Sequence, residues 1–347
     1  MELLSVSNLC YNYADDFYLR DITFSLENGK SVGLFGPSGS GKSTILRLIS
    51  GLSKPKSGEI LLNDQSIINQ EPHTRSIGMI FQHHALFPHL DVFDNIAFGL
   101  KMQQLDRDSI EIQVNDLLNI FKISQLKHRK VNELSVGESQ RVAIARSLAP
   151  KPKLLLMDEP FSSLDYALKV QLRLEIAEIL HNMNIASIVV SHDIQDIVPF
   201  SEHILLLKDG RMLVDSHLLE LYSQPKLQDV GSMLGFFSLK DFIADIKELN
   251  IIIPDKLKDV DYDYLDFIVH PDNLFVYQKP NPNMFVIECK IEKIFYSGPN
   301  PQVILQRTTN GNNSFVPAIW REKIKPSEGT TVYLCLQTED LKCIRSD

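Results

Sequence analysis

The run Gly36-Pro37-Ser38-Gly39-Ser40-Gly41-Lys42-Ser43-Thr44 carries the residue types needed to hold a chain of phosphates. Glycines at this spacing let successive backbone N–H groups close round anionic oxygens. Lys42 places a positive charge within reach of the outer phosphates, and the Ser43 hydroxyl is a hard oxygen ligand suited to Mg²⁺. A second charged group, Asp158-Glu159, stands directly behind the apolar run Leu154-Leu155-Leu156-Met157. One carboxylate there can hold hydrated Mg²⁺ while its neighbour orients or polarises an attacking water. A lone aspartate at a strand end is commonly just solvated. Two carboxylates behind four apolar residues, in a chain with a phosphate loop, suit transfer of a nucleotide's terminal phosphate to water.

Such groups act only if rigid elements carry them. Ser31 to Phe35 reads as a buried strand running into the glycine-rich turn, and residues 43–50 read as a helix that Gly51 ends. Lys153 to Met157 and Ala186 to Val190 are two further buried strands, and residues 103–130 and 166–184 show helical spacing of apolar positions. Short apolar strands alternating with helices predict an α/β layer fold from residue 1 to 238. Residues 239–264 form an acidic connector; between 241 and 266 there are eight acidic residues and three lysines. Beyond it, residues 265–347 read as a small all-β domain, a barrel. Its clearest strand alternates Ile287, Cys289 and Ile291 with Glu288, Lys290 and Glu292.

The bulk composition removes several classes. A net charge of −9 argues against a general binder of nucleic acid or anionic lipid. No apolar run approaches the roughly 18 residues that read as a membrane span, and the first residues lack the pattern of a signal peptide. Membrane association is therefore expected to come through a partner. Cys10, Cys289, Cys335 and Cys343 are scattered, which reads as reduced, packed thiols. His83, His84 and His89 cluster without an acidic or cysteine partner at ligand spacing, so a loop or interface role is preferred to a metal site.

Further motifs sharpen the picture. Leu134-Ser135-Val136-Gly137-Glu138-Ser139-Gln140-Arg141 resembles the signature of the ABC ATPases, and Phe161-Ser162-Ser163-Leu164-Asp165 resembles their D-loop. Val190-Ser191-His192-Asp193 resembles the switch-histidine segment, Phe81-Gln82 resembles the Q-loop, and Tyr13 matches the aromatic that stacks on adenine. The run from about residue 3 to 235 thus resembles the nucleotide-binding subunit of an ABC importer. The resemblance implies a P-loop core with an antiparallel β subdomain and a helical subdomain at about 83–150. It implies ATP and Mg²⁺ as ligands, with Glu159, His192 and Gln82 acting on the water and γ-phosphate. Ser43, Gln82 and Asp158 would serve the metal. Ser135, Gly137, Glu138 and Asp165 would serve the ATP held by a second copy of the chain.

The signature departs from Leu-Ser-Gly-Gly-Gln at two positions. Val136 puts a β-branched side chain where backbone meets phosphate and restricts φ. Glu138 brings negative charge toward ATP. Ser135 with Glu138 also fits a capping box at the start of a helix running to about Leu148, and a helix N-terminus is itself suited to phosphate. Weakened but retained ATP-driven dimerisation is the expectation.

The family reading adds integral membrane permease subunits as partners, a solute-binding protein indirectly, and a position at the cytoplasmic face of the inner membrane. Phe87 and Leu90 are expected to help line the groove that receives a permease helix. Residues 265–347, through Phe267 to Leu274, resemble the β-barrel (TOBE-like) regulatory domain of importer ATPases for inorganic ions, sugars and polyamines. Likeness of Phe81 to Leu100 to sulfate-type ATPases, and of Ala149 to Lys153 and the D-loop stretch to ferric-iron-type ones, leans the cargo toward an inorganic ion. Polyamine and sugar are the alternatives. The rivals from other classes are a soluble ABC ATPase acting on ribosomes or DNA and a weakly hydrolysing regulatory binder of ATP.

Overall fold

The structure, a computed structural model, describes the chain except for residues 14–16, 84, 202, 224–227, 235, 239–264, 271–272, 280–284, 296–301, 310–311, 321–325, 338–341 and 346–347. The acidic connector at 239–264 lies outside the described residues. The chain divides into two compact units, Met1–Leu218 and Leu219–Asp347. The second unit thus takes in residues that the sequence pattern assigns to the first domain. The reason is local packing: Gly231, in the short helix Gln228–Met233, sits against Ile268, and Phe237 pairs with Val269.

In the first unit, β1 (Glu2–Tyr13), β2 (Phe17–Glu27), β4 (Ser57–Leu62) and β5 (Gln65–Ser66) form an antiparallel sheet in the order β2-β1-β4-β5. A second sheet holds β3 (Ser31–Phe35), β6 (Ile77–Ile80), β7 (Leu154–Asp158), β8 (Ala186–Ser191), β9 (His203–Lys208) and β10 (Arg211–His217), in the order β10-β9-β3-β8-β7-β6. From β9 to β6 every pairing is parallel. Strands covered on both faces read as continuous apolar runs rather than alternating ones, and every residue of β8 is buried. Helices α2 (Val92–Met102), α3 (Arg107–Ile120) and α4 (Val136–Leu148) lie in the chain between β6 and β7, and α5 (Tyr166–Asn182) joins β7 to β8.

The register decides where chemistry can happen. Ile80 pairs with Met157, Asp158 with Val190, Leu34 with Val190, and Phe35 with Ser191. The chain therefore leaves β3, β6, β7 and β8 at one edge of the sheet, carrying Gly36, Gln82, Glu159 and His192 with it. Crevices at the carboxyl ends of parallel strands are where such folds bind ligands.

The phosphate-loop helix α1 (Lys42–Ser50) is anchored from its far end. Ile45, Leu46, Leu48 and Ile49 are buried in a core shared by both sheets. Arg75 is also buried, at 3% exposure, and its guanidinium donates to Leu48 O, Ile49 O, Gln70 O and Ile68 O at 2.9–3.2 Å. Two of these are among the last carbonyls of α1, which have no partner within the helix and carry its negative dipole end. Arg75→Met is expected to remove four hydrogen bonds, two of them to the buried Leu48 and Ile49 carbonyls, of which Leu48 O keeps the Gly51 N–H at 3.2 Å. Thermal melting of the chain should show a loss of about 3 kcal/mol, roughly 6–12 °C in Tm. A loss below about 1 kcal/mol would mean that water can take over those carbonyls.

In the second unit β11 (Phe275–Tyr277), β12 (Phe285–Phe295), β13 (Gln302–Thr309), β14 (Asn312–Trp320) and β15 (Thr331–Leu336) close into a barrel in the order β11-β14-β13-β12-β15. The alternation seen in the sequence sets its inside and outside. Ile287, Cys289 and Ile291 join Trp320, Leu305 and Leu334 in the core, while Glu288, Lys290 and Glu292 face solvent. The Cys289 and Cys335 side chains are buried, and that of Cys10 is partly so. The Cys343 side chain lies outside the described residues.

Candidate functional site

The phosphate loop links β3 to α1. Gly41 caps α1 with φ +107, which an L side chain rarely adopts, and no side chain caps the helix. The N–H groups of the first turn are thus left to a ligand, the arrangement that suits an anion. Lys42 is 5% exposed, and its ammonium donates to Gly36 O and Pro37 O, both at 2.8 Å. Burial pulls its pKa below the usual lysine value, while the Glu159 and Asp158 carboxylates pull it back up.

Ser43 Oγ donates to Asp158 Oδ1 at 2.8 Å, joining two motifs 115 residues apart. Burial raises the Asp158 pKa, and the Ser43 hydrogen bond opposes that shift. A hydroxyl and a carboxylate side by side are hard oxygen donors of the kind Mg²⁺ takes. That ion uses few protein ligands and completes its shell with phosphate and water. Among the described residues no three or more His, Cys, Asp or Glu are grouped so as to form an all-protein metal cage.

Glu159 has φ +45, uncommon for a residue other than glycine. Its N–H donates to Val190 O at 3.0 Å, and Ser162 Oγ donates to its carbonyl at 3.0 Å, so the backbone is held on both sides. This turn aims the carboxylate at the switch segment, where His192 Nδ1 lies 3.0 Å from Glu159 Oε1. An ionised carboxylate there fixes the tautomer that carries the proton on Nδ1. Gln82 is exposed, two residues past β6 at the same sheet edge. Tyr13 ends β1, paired with Phe17; its side chain lies outside the described ones.

The signature forms the capping box that the sequence predicts. Ser135 is the N-cap of α4: its Oγ accepts from Glu138 N at 3.3 Å, and Glu138 Oε2 accepts from Ser135 N at 2.8 Å. Ser135 Oγ–H also donates to Glu138 Oε2 at 2.8 Å, and these two bonds hold the Glu138 pKa below the usual carboxylate range. Glu138 therefore occupies the Ser135 hydroxyl proton. Val136 is the first residue of α4 and is 47% exposed. It is absent from the positive-φ positions, so the expected φ penalty does not arise. Gly137 is the constrained glycine: a Cβ there would meet Leu168 Cδ2 at 2.9 Å. Asp165 caps α5, accepting from Leu168 N at 3.1 Å.

Three supports escape a reading of the sequence. Asn95 is fully buried and holds the loop before α2 by accepting from Phe87 N at 2.9 Å and donating to Phe87 O and Asp91 O. Phe87 packs on Phe98 with tilted rings, centroids 4.5 Å apart, and the Arg146 guanidinium lies over its ring. Arg141 of α4 grips Glu175 of α5 bidentately at 2.6 and 2.7 Å. Lys169 and Arg173 of α5 reach Asp193 and Asp196, beside His192. The spacing of acids after the histidine was the available signal for the last of these. A cleft of about 520 Å³ lined by Leu3, Asn28, Lys151, Lys153 and Asn184 lies by the amino ends of β7 and β8, away from all of these groups.

Phosphate loop, carboxylate pair and histidine at one sheet edge define a P-loop nucleoside triphosphatase. The family model for "ABC transporter" matches residues 19–162. The chain is 33% identical over 311 residues to the spermidine/putrescine import ATP-binding protein PotA of Mycoplasma capricolum, and 32% identical to that of Mycoplasma mycoides. Each alignment covers 88% of both chains. Among solved structures, cbiO1 from Clostridium perfringens, part of the ABC transporter complex cbiONQ, is similar with TM-score 0.60 and 30% identity. It covers 65% of this chain and 92% of its own. The dimeric ATP-binding cassette MJ0796, in a post-hydrolysis state with ADP and Pi, is similar with TM-score 0.56 and 29% identity. That alignment covers 62% of this chain and 99% of the other. The chain belongs to the ABC transporter family, as the ATP-binding subunit of an importer. It is an ATPase that uses ATP and Mg²⁺.

Proposed function

We propose that this chain powers import of a polyamine. Two copies close round two ATP molecules at the cytoplasmic face of the membrane and work through permease subunits, with no role for nucleic acid. The supporting observation is the match to spermidine/putrescine import proteins over 88% of both chains, which extends well beyond the ATPase unit. The lean toward ferric iron or sulfate rests on residues with no reason to touch cargo, and no relative named above supports it. Cells lacking this chain should lose uptake of labelled spermidine or putrescine and keep iron and sulfate uptake; the opposite pattern would overturn the cargo assignment.

In this reading residues 36–44 hold the phosphates, with the Lys42 ammonium balancing their charge, and Tyr13 stacks on adenine. Ser43, Asp158 and Gln82 hold Mg²⁺, which neutralises phosphate charge. Glu159 takes the proton of the attacking water, and His192 holds Glu159 and senses the terminal phosphate. Ser135, Gly137 and Glu138, with Asp165, complete the partner's site. No helix among the described residues is long and apolar enough to cross a membrane. Phe87, pinned by Asn95 and flanked by the half-exposed Phe98, offers the permease an apolar seat, with Leu90 beside it. The barrel braces the dimer.

The altered signature tunes this activity. Glu138→Gln keeps the capping box, since glutamine caps as glutamate does, and removes the charge beside Ser135. ATPase turnover of the assembled complex should rise about threefold, because one charged hydrogen bond no longer competes with phosphate. Val136→Gly should change it less, since glycine costs the first turn of α4 up to about 1 kcal/mol. Equal turnover for Glu138→Gln and the parent would remove the competition argument.

A further inference from the structure

The mechanism above leaves unused two ion-pair systems on the two sides of α5. On one side Arg141, from the signature helix, meets Glu175 through both guanidinium nitrogens, and Arg141 Nη1 also donates to Phe121 O at 3.1 Å. Lys122 adds a second cation 3.4 Å from Glu175. Both Arg141 and Glu175 are largely buried, and the Glu175 carboxyl is held below the usual range chiefly by the Arg141 bond. About two turns nearer the start of α5, Leu168 packs on Gly137. The signature helix is thus fixed to α5 at two points.

On the other side lies the switch segment. Residues two apart on a helix point about 200° apart, so Arg173 faces away from Glu175. Arg173 is 4% exposed and Asp196 2%. Arg173 Nη2 lies 2.6 Å from Asp196 Oδ1 and 3.1 Å from Asp193 Oδ2, and Lys169 Nζ lies 3.0 and 3.2 Å from the same two atoms. The 2.6 Å approach is off-line for a hydrogen bond, so it acts as charge against charge. Asp196 Oδ2 accepts from Ser191 Oγ at 2.7 Å, and Ser191 Oγ accepts from Asp193 N at 3.0 Å. Every residue flanking His192 is therefore tied to α5 or to a group that is.

Buried charge pairs are weak devices for stability and better ones for fixing a single arrangement. Here two such pairs flank one helix whose N-cap is Asp165. We propose that Glu175 and Arg173 are positioning residues that make α5 a rigid relay between the signature helix and the switch histidine. Engagement of Ser135 with the partner's ATP then alters the placing of His192 against this chain's own ATP, and the two sites fire together. The proposal rests on the reading that Ser135 serves the partner's nucleotide and His192 its own.

The test is steady-state ATPase of the assembled transporter against ATP concentration. Glu175→Gln breaks the Arg141 fork without adding bulk; Asp196→Asn removes the charge opposite Arg173. Each should lower kcat about tenfold, a usual size for coupling between sites, and abolish sigmoidal dependence on ATP. The KM for ATP should stay within about twofold, since neither residue touches nucleotide. The double variant should be no slower than the slower single one, because both cut the same relay. Multiplied losses, about a hundredfold, mean independent supports and overturn the proposal; so does retained sigmoidicity. Where Glu175→Gln or Asp196→Asn melts too low to assay, Arg141→Lys keeps the charge while losing the fork to Glu175, and Arg173→Gln removes the charge that faces Asp196. They must then show the same loss of sigmoidicity at unchanged KM. His192→Ala separates the two levels: full turnover in that variant removes the underlying assignment of His192, whatever the α5 variants do.

Discussion

Replacing Glu159 by glutamine is expected to lower ATP turnover about a thousandfold, within the range for losing a general base, while ATP still binds. Glutamine keeps the size of the side chain and can still accept from His192 Nδ1, 3.0 Å away in the parent. What it loses is the capacity to take a proton. The strained backbone of Glu159, at φ +45, is supported by Val190 O and Ser162 Oγ rather than by its carboxylate, so the turn should survive. Bound ATP that is not hydrolysed should then hold two copies together. Size-exclusion chromatography with MgATP should show a stable dimer for Glu159→Gln and a transient one for the parent. Turnover within tenfold of the parent would remove Glu159 as the base and leave water positioning to other groups.

Much of this site is legible from the chain because each motif joins a strand end to a turn. Gly36 to Ser43, Asp158-Glu159 and His192 all follow apolar strands. A parallel sheet then brings strand ends distant in sequence to one edge, so that Ser43 meets Asp158, 115 residues away. The capping box of Ser135 and Glu138 is legible too, being wholly local. What stays hidden is whatever depends on packing between elements. The sequence marks Val136 as the restricted position, yet it is Gly137 that lies against another helix, through Leu168, while Val136 faces out. Arg75 is a further case. Nothing in its neighbourhood marks an arginine that closes a helix 25 residues earlier, because the carbonyls it serves carry no sequence signal. The boundary at Leu219 escapes for the same reason, since Gly231 is claimed by Ile268, a residue from the far side of the connector.

The second large effect concerns Lys42. Lys42→Met is expected to weaken ATP binding about a thousandfold, ~4 kcal/mol, with no fall in thermal stability. The two halves of that expectation have one cause. The ammonium is buried, and burial is the largest influence on its pKa, which lies below the ordinary lysine value. A lysine that binds its proton less tightly folded than unfolded opposes folding at every pH below the folded pKa. Stability recovers only as pH rises through the folded pKa toward the unfolded value of about 10.4. Below the folded pKa the cost is therefore fully present. The Gly36 and Pro37 carbonyls and the two carboxylates at 158 and 159 offset it in part, and triphosphate is the ligand that reverses it. Methionine keeps the apolar stem and drops the charge, so the chain should melt at the parent's temperature or above while losing its ligand. Isothermal titration with ATP and a melt on the same sample decide the matter. A variant that melts lower and still binds ATP would make Lys42 a brace for the loop, with the backbone N–H groups of α1 alone holding the phosphates.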